Sequence, residues 1–296
     1  MKNKNLVAIV GPTAIGKTSL SIALARAFHT EIISADSRQF YKEMNIGTAA
    51  PTAEELQAAP HHFIHNISIQ DEYSVGDYER DALQKIEDLF QKSPILILVG
   101  GSGLYVKSLL EGLDNFPEVD PLIRKQLNQQ LNEQGLSPLK EKLNQLDPFY
   151  FSRVDIENPH RVIRALEICL GTGKPYSSFL EGAKQTRDFN AIKIGLTAPR
   201  EIIYDRINMR VDLMMEQGLL EEAEHLYPLK ELNALNTVGY KELFKYIEGD
   251  YSLEEAIAEI KKNTRRFAKR QLTWFRKEKD ITWFEYSTKW KKLKIT

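Results

Sequence analysis

Cysteine is almost absent from this sequence, which has one, Cys169, in 296 residues. A single thiol excludes a disulfide framework and a cysteine-rich zinc module. Long apolar runs are also missing, since none approaches the roughly 20 residues that span a membrane. The basic start is followed by only five apolar residues before Gly11-Pro12, too few for a signal-peptide core. We therefore expect a cytoplasmic protein with no membrane segment.

The chain as a whole has almost no net charge, since its formal net charge is −1. That balance hides an asymmetry, because residues 261–294 carry 13 basic and 3 acidic side chains, a net of +10, and the remainder a net of −11. A basic tail on an acidic body is typical of a protein that docks a polyanion at one end, although a solvated basic helix has the same composition.

The strongest motif is GPTAIGKT at residues 11–18, which fits the pattern G-x-x-x-x-G-K-[ST]. That pattern describes a loop whose backbone N–H groups surround a phosphate, with the lysine as countercharge and the hydroxyl on Mg²⁺. An apolar strand pattern precedes it and a helical pattern follows, which is the setting that an anion site needs. We predict a phosphate-binding loop of Gly11, Pro12, Thr13, Ala14, Ile15, Gly16, Lys17 and Thr18, with Mg²⁺ at Thr18.

The first hundred residues alternate between strand and helix patterns. Apolar segments predict strands, amphipathic segments predict helices, and the predicted ranges are 5–10, 31–35 and 94–99 for strands and 17–28 and 74–92 for helices. This alternation favours an α/β fold with a doubly wound parallel sheet, which binds ligands at the carboxyl ends of its strands.

The pattern changes after about Asp114, where polar helices interrupted by Pro and Asp-Pro take over. A strand pattern returns at AIKIGLTAP, and helices then continue to about Lys279. We predict a catalytic core of residues 1–114 and 187–296 that carries the basic helix, and a helical insertion of residues 115–186.

An acid near the loop indicates what the phosphate is for. ATP-using enzymes usually have an Asp at the end of an apolar strand to help hold Mg²⁺, but PILILV runs into GGSGLY with no acid. Asp36, in EIISADSRQFY, does lie at a predicted strand end. A carboxylate there suits proton acceptance from a nucleophile, or Mg²⁺ binding through water. A simple helix cap is the alternative.

Six parts of the chain resemble, in this order, the tRNA dimethylallyltransferases, also called tRNA isopentenylpyrophosphate transferases. They are GPTAIGKT, SADSRQFY with MNIGTAAP, LVGGSGLYVKSLLEGL, NPHRVIRALEI, NTVGYKEL and AKRQLTWFR. The resemblance covers Leu6 to about Trp283. It implies a P-loop-type fold and transfer of a dimethylallyl group from dimethylallyl diphosphate to the exocyclic amine of the adenine 3′-adjacent to the anticodon in tRNA, with release of pyrophosphate.

Catalytic roles follow from the resemblance. Loop N–H groups, Lys17 and Mg²⁺ on Thr18 would stabilise the leaving pyrophosphate. Asp36 is similar to the family's proposed base for the amine proton. Arg210 matches a family arginine that helps bind the diphosphate, with an ordinary solvated helix arginine as the alternative. Arg206, one helical turn before Arg210, is given a structural role.

Contacts with the tRNA anticodon stem-loop are also implied, because the target adenine must leave its stack and expose unpaired bases. His160 stands where many members have Gln, and can still donate a hydrogen bond. The implied tRNA-binding residues are Asp36, Ser37, Arg38, Gln39, Ser102, Arg124, His160, Arg161, Val162, Ile163, Arg164, Gly239, Lys269, Arg270, Gln271 and Arg276.

In the basic helix, Ile260, Phe267 and Trp274 recur every seven residues and are predicted to form its core face, which leaves its cations for phosphates. For the two aromatics, stacking on bases is the alternative. Gly239 is predicted to permit a tight backbone approach near the RNA, or to be an ordinary turn glycine. The histidines of HHFIH (61–65) are not predicted to bind metal, because no helix or carboxylate partner supports ligand geometry there.

Three rival functions share parts of this pattern. An adenylate isopentenyltransferase would need neither the insertion nor the basic tail. A small-molecule kinase would need the acid that is missing after PILILV, and a GTPase-like RNA-binding module would need a guanine-reading motif such as N-K-x-D. We expect a monomer.

Overall fold

One parallel sheet forms the centre of the structure, a computed structural model that describes residues 4–180 and 185–287. Its strands are β1 (Asn5–Val10), β2 (Ile32–Ser34), β3 (His61–His62), β4 (Ile95–Val99), β5 (Asn190–Thr197) and β6 (Thr282–Glu285). Their order is β3-β2-β4-β1-β5-β6, and every pairing is parallel. The chain therefore winds outwards in both directions from β1 and β4, as the alternating pattern predicts.

Helices cover both faces of this sheet, because its strands are apolar on both sides. The α-helices of the described residues, which include those of a second unit treated below, are α1 (Lys17–Phe28), α2 (Ala53–Ala58), α3 (Val75–Phe90), α4 (Gly103–Glu111), α5 (Pro121–Gln134), α6 (Ser137–Leu146), α7 (Pro148–Phe151), α8 (Pro159–Thr172), α9 (Arg200–Glu216), α10 (Leu219–Leu226), α11 (Tyr240–Ile247) and α12 (Leu253–Phe275). Among the described helices, none is both long and apolar enough to cross a membrane.

Alternate residues of β1 enter two separate cores. Leu6 and Ala8 pack with α3 and α4, whereas Val7 and Ile9 pack with α1 and α9. A third core joins α10, α11 and α12. The α/β class with a doubly wound parallel sheet is thus confirmed.

The chain forms two compact units, Met1–Glu111 with Thr186–Thr296 and Gly112–Gln185. The second unit consists of α5 to α8 around a core of its own that includes Leu127, Leu143 and Leu166. In the first unit, Arg187 joins the two chain segments that lead to and from the second. Its guanidinium donates to the carbonyls of Ser108 (2.7 Å) and Leu109 (3.0 Å) and pairs with Glu79 at 2.6 Å.

The end of the chain departs in part from the predicted pattern. The last helix ends at Phe275, not near Lys279, and β6 follows it, a strand that the sequence pattern does not indicate. The final cations of the predicted basic tail, at residues 289–294, lie outside the described residues.

Candidate active site

The predicted phosphate-binding loop connects β1 to α1 at the carboxyl edge of the sheet. Gly11 and Gly16 have positive φ angles of 145° and 104°, which L side chains rarely adopt. Gly16 caps α1 and brings no side-chain oxygen to the helix, so that the first-turn N–H groups and the helix dipole are available to an anion. Lys17 folds back over the loop and donates to the carbonyls of Gly11 (3.1 Å) and Pro12 (2.8 Å).

Arginines from α9 lie along this loop. Arg206 donates from Nε to the Ala14 carbonyl at 2.7 Å, and Arg210 donates to the Thr13 hydroxyl at 3.4 Å. Burial lowers the pKa of Arg210, and the nearby Arg206 lowers it further. The loop therefore has three cations around it, Lys17, Arg206 and Arg210. Arg206, given a structural role above, does hold the loop backbone.

Asp36 follows β2 at the same edge of the sheet. Burial raises the pKa of its carboxyl group, and the positive charge of Lys17 opposes that rise. Burial likewise lowers the pKa of Lys17 to about 8, against the favourable charge of Asp36. The helix-cap interpretation of Asp36 is wrong, because residues 37–40 form a turn and not a helix. The backbone N–H of Arg38 donates to Asp36 Oδ1 at 3.3 Å within that turn.

Two cavities of the first unit meet at Asp36. The first, about 900 Å³, contains the phosphate-binding loop and is called the loop cavity. The second, about 560 Å³, lies against α12 and is called the α12 cavity. Seven residues line both of them, namely Thr13, Lys17, Asp36, Thr48, Ala49, Arg210 and Met214. A group bound in either cavity would thus reach the same carboxylate.

The predicted DSRQ residues have different surroundings. Ser37 contacts Ser102, just before α4, through both its N–H (3.1 Å) and its hydroxyl (3.2 Å), and both serines line the α12 cavity. Arg38 donates to the carbonyls of Asn233 and Ala234, each at 2.8 Å, and lines the same cavity. Gln39 lines the loop cavity instead, and its amide donates to the carbonyls of Thr48 and Ala49.

Helix α12 does not have the core face that the seven-residue spacing predicts. Ile260 is buried, but Phe267 and Trp274 are 38% and 37% exposed and line the α12 cavity. The buried face is instead formed by residues spaced at three and four, which include Ala268, Gln271 and Phe275. Lys269, Arg270 and Arg276 are exposed, as predicted.

Gln271 differs from its basic neighbours because it is only 5% exposed. Its Oε1 accepts the N–H of Thr13 at 2.8 Å, and its Nε2 donates to the Gly101 carbonyl at 2.9 Å. Its amide is therefore already engaged within the protein, and it connects α12 to the phosphate-binding loop. The sequence could not indicate this contact, which joins residues 258 positions apart.

Gly239 lines the α12 cavity directly before α11. Within the protein a Cβ there would meet only the Gly47 carbonyl at 4.0 Å, so no contact inside the protein requires a glycine. Its φ of 103° explains the glycine, and its N–H donates to Glu242 at 2.8 Å.

In the second unit, the predicted RNA residues fall into three groups. His160 and Arg161 are exposed at the start of α8. Val162 and Ile163 lie in the core of that unit, so their side chains are not available to a partner, contrary to the expectation for those two. Arg124 and Arg164 both pair with the buried Glu167, at 2.7 and 2.8 Å.

The histidines of residues 61–65 lie beside the loop cavity but do not form a cluster of ligands. His62 pairs with Glu31 at 2.7 Å, and His61 Nδ1 contacts the Ala59 carbonyl at 2.8 Å. Over the part of the chain that is described, no group of three or more His, Cys, Asp or Glu side chains is arranged to hold a metal ion.

These features define an α/β protein of the P-loop type, in which a phosphate-binding loop and a half-buried carboxylate at the sheet edge line two adjoining cavities. The sequence model of the IPP transferase family matches residues 39–278. The chain belongs to this family.

Curated relatives agree with that assignment. The tRNA dimethylallyltransferase of Christiangramia forsetii is 66% identical over 281 residues, which are 95% of this chain and 93% of that protein. The tRNA dimethylallyltransferase of Flavobacterium johnsoniae is 58% identical over 291 residues, 96% and 94% of the two chains.

Solved structures are similar as well. The tRNA isopentenylpyrophosphate transferase of Bacillus halodurans is 41% identical with a TM-score of 0.71, over 96% of this chain and 90% of that one. A eukaryotic dimethylallyltransferase acting on tRNA is 28% identical with a TM-score of 0.79, over 96% and 74%.

Proposed function

We propose that this protein transfers the dimethylallyl group from dimethylallyl diphosphate to the exocyclic amine of the adenine 3′-adjacent to the anticodon in tRNA. The observation that carries the proposal is the meeting of two cavities at one carboxylate. The loop cavity presents N–H groups and cations to an anion, and the α12 cavity presents serines, aromatic rings and exposed cations. Curated relatives named for this reaction support the same assignment.

The donor would bind with its diphosphate on the phosphate-binding loop. Transfer breaks the bond between C1 of the dimethylallyl group and the diphosphate oxygen, and the electron pair leaves with the pyrophosphate. Lys17, Arg210 and the N-terminus of α1, which lie at this loop, would stabilise that developing charge. Arg206 holds the loop backbone in the required shape.

Mg²⁺ fits this arrangement as the divalent metal of the reaction. It is commonly bound by substrate phosphates and one or two protein oxygens, so the lack of a described side-chain cluster does not argue against it. The Thr18 hydroxyl would hold it, since Thr18 lines the loop cavity at the first turn of α1. When bound, the ion supplies positive charge to the leaving pyrophosphate.

The acceptor adenine would enter from the α12 cavity. Its amine nitrogen forms the new bond to C1, and the proton that it loses passes to Asp36. A base is needed because the lone pair of that amine is delocalised into the ring. The raised pKa of Asp36 suits proton acceptance, because a more basic carboxylate is a better general base.

RNA would be held by residues of both units. In the first, Ser37, Ser102 and the exposed Lys269, Arg270 and Arg276 are available to bases and phosphates. In the second, His160 and Arg161 are exposed at the start of α8. The amide of Gln271 is already hydrogen-bonded within the protein, and Arg124 and Arg164 are paired with Glu167. These contacts favour supporting roles for Gln271, Arg124 and Arg164.

The test is transfer of radiolabelled dimethylallyl groups to unmodified tRNA in the presence of Mg²⁺. Asp36→Asn retains the shape of the side chain but not its basicity, so transfer should fall by about 10²- to 10⁴-fold. Pyrophosphate binding, measured by calorimetry, should persist in the variant. Label on AMP instead of tRNA would indicate an adenylate isopentenyltransferase, and consumption of ATP without transfer would indicate a kinase.

A further inference from the structure

A short turn, residues 45–49, separates the two cavities. Asn45 and Ile46 line the loop cavity and Gly47 lines the α12 cavity, whereas Thr48 and Ala49 line both. This turn is the middle of the segment MNIGTAAP, none of whose residues has a role in the reaction proposed above. A turn in this position would set the distance between groups bound in the two cavities.

The carboxylate of one glutamate, Glu222, holds this turn by its backbone. Glu222, on α10, accepts three consecutive backbone N–H groups: Asn45 at 3.1 Å and Ile46 at 2.8 Å through Oε2, and Gly47 at 2.9 Å through Oε1. The hydroxyl of Tyr240 donates to Oε1 at 2.6 Å. Hydrogen bonds to an ionised acceptor are roughly twice as strong as those between neutral groups. The three from the backbone therefore fix the turn firmly, and the one from Tyr240 holds the carboxylate.

Packing reinforces the same contact. Tyr240 is fully buried at the start of α11, and a Cβ on Gly47 would lie only 2.5 Å from its ring. The turn therefore rests directly against the aromatic ring that also anchors Glu222. On the other side, the amide of Gln39, three residues after Asp36, donates to the carbonyls of Thr48 and Ala49. A continuous set of contacts thus leads from α10 through the turn to the segment that carries Asp36.

We propose that Glu222 is a positioning residue for the transfer reaction, which acts by holding the 45–49 turn between the donor and acceptor cavities. This inference rests on the proposed function. The residue does not touch the reacting atoms, since it binds the turn through the backbone. Its contribution is the alignment of C1 with the adenine amine. A displacement of about 1 Å between reacting groups can lower the rate by about 10²-fold.

The test compares Glu222→Gln with the wild-type protein by two readouts. A neutral amide has one acceptor oxygen in place of two, so amide hydrogen exchange at residues 45–47 should become faster. The kcat for transfer to tRNA should fall about tenfold or more, while the affinity for pyrophosphate stays within about twofold because the phosphate-binding loop is untouched. Glu222→Asp restores the charge with a shorter reach and should lie between the two proteins.

Two controls keep the result specific. Glu224→Gln removes a charge from an exposed position of the same helix and should change neither exchange nor kcat. Tyr240→Phe removes one of the four donors and should give a smaller loss than Glu222→Gln.

The proposal is overturned if Glu222→Gln leaves kcat within about twofold of wild type, or if pyrophosphate affinity falls in parallel with kcat, which would indicate general loss of structure. If the wild-type protein transfers nothing to tRNA, that result contradicts the proposed function instead. The hydrogen-exchange result would still report whether Glu222 holds the turn.

Discussion

At the residue scale, the electrostatics of the candidate site come from two half-buried groups of opposite charge. Burial raises the pKa of Asp36 and lowers that of Lys17 to about 8, and the charge of each group partly opposes the pKa shift of the other. Both shifts move the groups towards neutral pH. The charges of both groups, and with them the reaction, should therefore depend on pH.

The pH dependence of kcat/KM should therefore be bell-shaped, since this parameter reports groups of the free enzyme. The rate rises as Asp36 loses its proton, at a pH above that of an ordinary aspartate. It falls above about 8 as Lys17 becomes neutral and the loop loses a cation. Initial rates of transfer at low donor concentration across this range measure both limbs.

Lys17→Arg is the control for the falling limb. Arginine stays protonated in proteins, so that limb should move out of the measurable range even if the overall rate drops. A falling limb that persists near the same pH in the variant would show that another group causes it.

At the scale of elements, α12 combines three tasks on separate faces. Ala268, Gln271 and Phe275 pack inwards, Phe267 and Trp274 line the α12 cavity, and Lys269, Arg270 and Arg276 are exposed. Gln271 ties the helix to the loop that would bind the donor. The exposed cations of this helix are therefore distinct from the residues that pack inwards and from the aromatic residues that line the cavity.

Binding of tRNA should weaken steeply with salt, because cations on this face would release counterions from the RNA. Lys269→Ala or Arg270→Ala should each lower the slope of log Kd against log salt by about 1. Filter binding of unmodified tRNA at several salt concentrations measures the slope. Lys92→Ala, at an exposed cation just before β4 and so at the opposite edge of the sheet, is the matched control. An equal slope in all proteins would exclude docking on α12.

The elements that sequence reasoning found and missed differ in how local their causes are. Helix α1 and strand β1 were predicted with the bounds that the structure has, because glycines and an apolar run mark them locally. Strand β3 is two residues long and β6 has a mixed pattern, since both lie at sheet edges and their pairing partners define them. Phe267 and Trp274 were assigned to a core because a seven-residue spacing does not tell a packed face from the wall of a cavity.

The candidate site divides in the same way. The phosphate-binding loop and Asp36 are local motifs and were predicted from them. The contacts of Gln271 with Thr13 and of Glu222 with Gly47 join residues 258 and 175 positions apart. No spacing rule relates such residues, and only the folded chain brings them together.

At the scale of the whole molecule, the second unit has its own core and its own buried charge. Glu167 is almost fully buried and accepts from Nε and Nη2 of Arg124, at 3.0 and 2.7 Å, and from Arg164 at 2.8 Å. Burial by itself would raise the pKa of Glu167, but the two guanidinium groups outweigh it and the net shift is downward. Its carboxylate is therefore a stabilising part of the folded unit.

This shift predicts how acid affects the unit. A lowered folded-state pKa stabilises at pH values above the unfolded pKa of a glutamate, and the stabilisation is lost as pH falls through the lowered value. The urea midpoint of unfolding should thus decrease on acidification, and Glu167→Gln should lower the midpoint at neutral pH and flatten this decrease. Glu141→Gln, at an exposed position of α6, should unfold like the wild type. A variant at position 167 that keeps the full acid dependence would contradict the assignment.

The contacts of Arg187 bear on how such a protein can change over evolutionary time. This one side chain links the segment that precedes the 74-residue second unit to the segment that follows it, and both lie in the first unit. The two ends of that stretch are therefore held together by contacts that do not involve the stretch itself. Closing a longer or shorter loop between fixed ends changes the conformational entropy only slowly with its length. Lineages could therefore lengthen, trim or exchange the material between residues 112 and 185 while the sheet keeps its register. Divergence among descendants should accumulate there faster than in the strands.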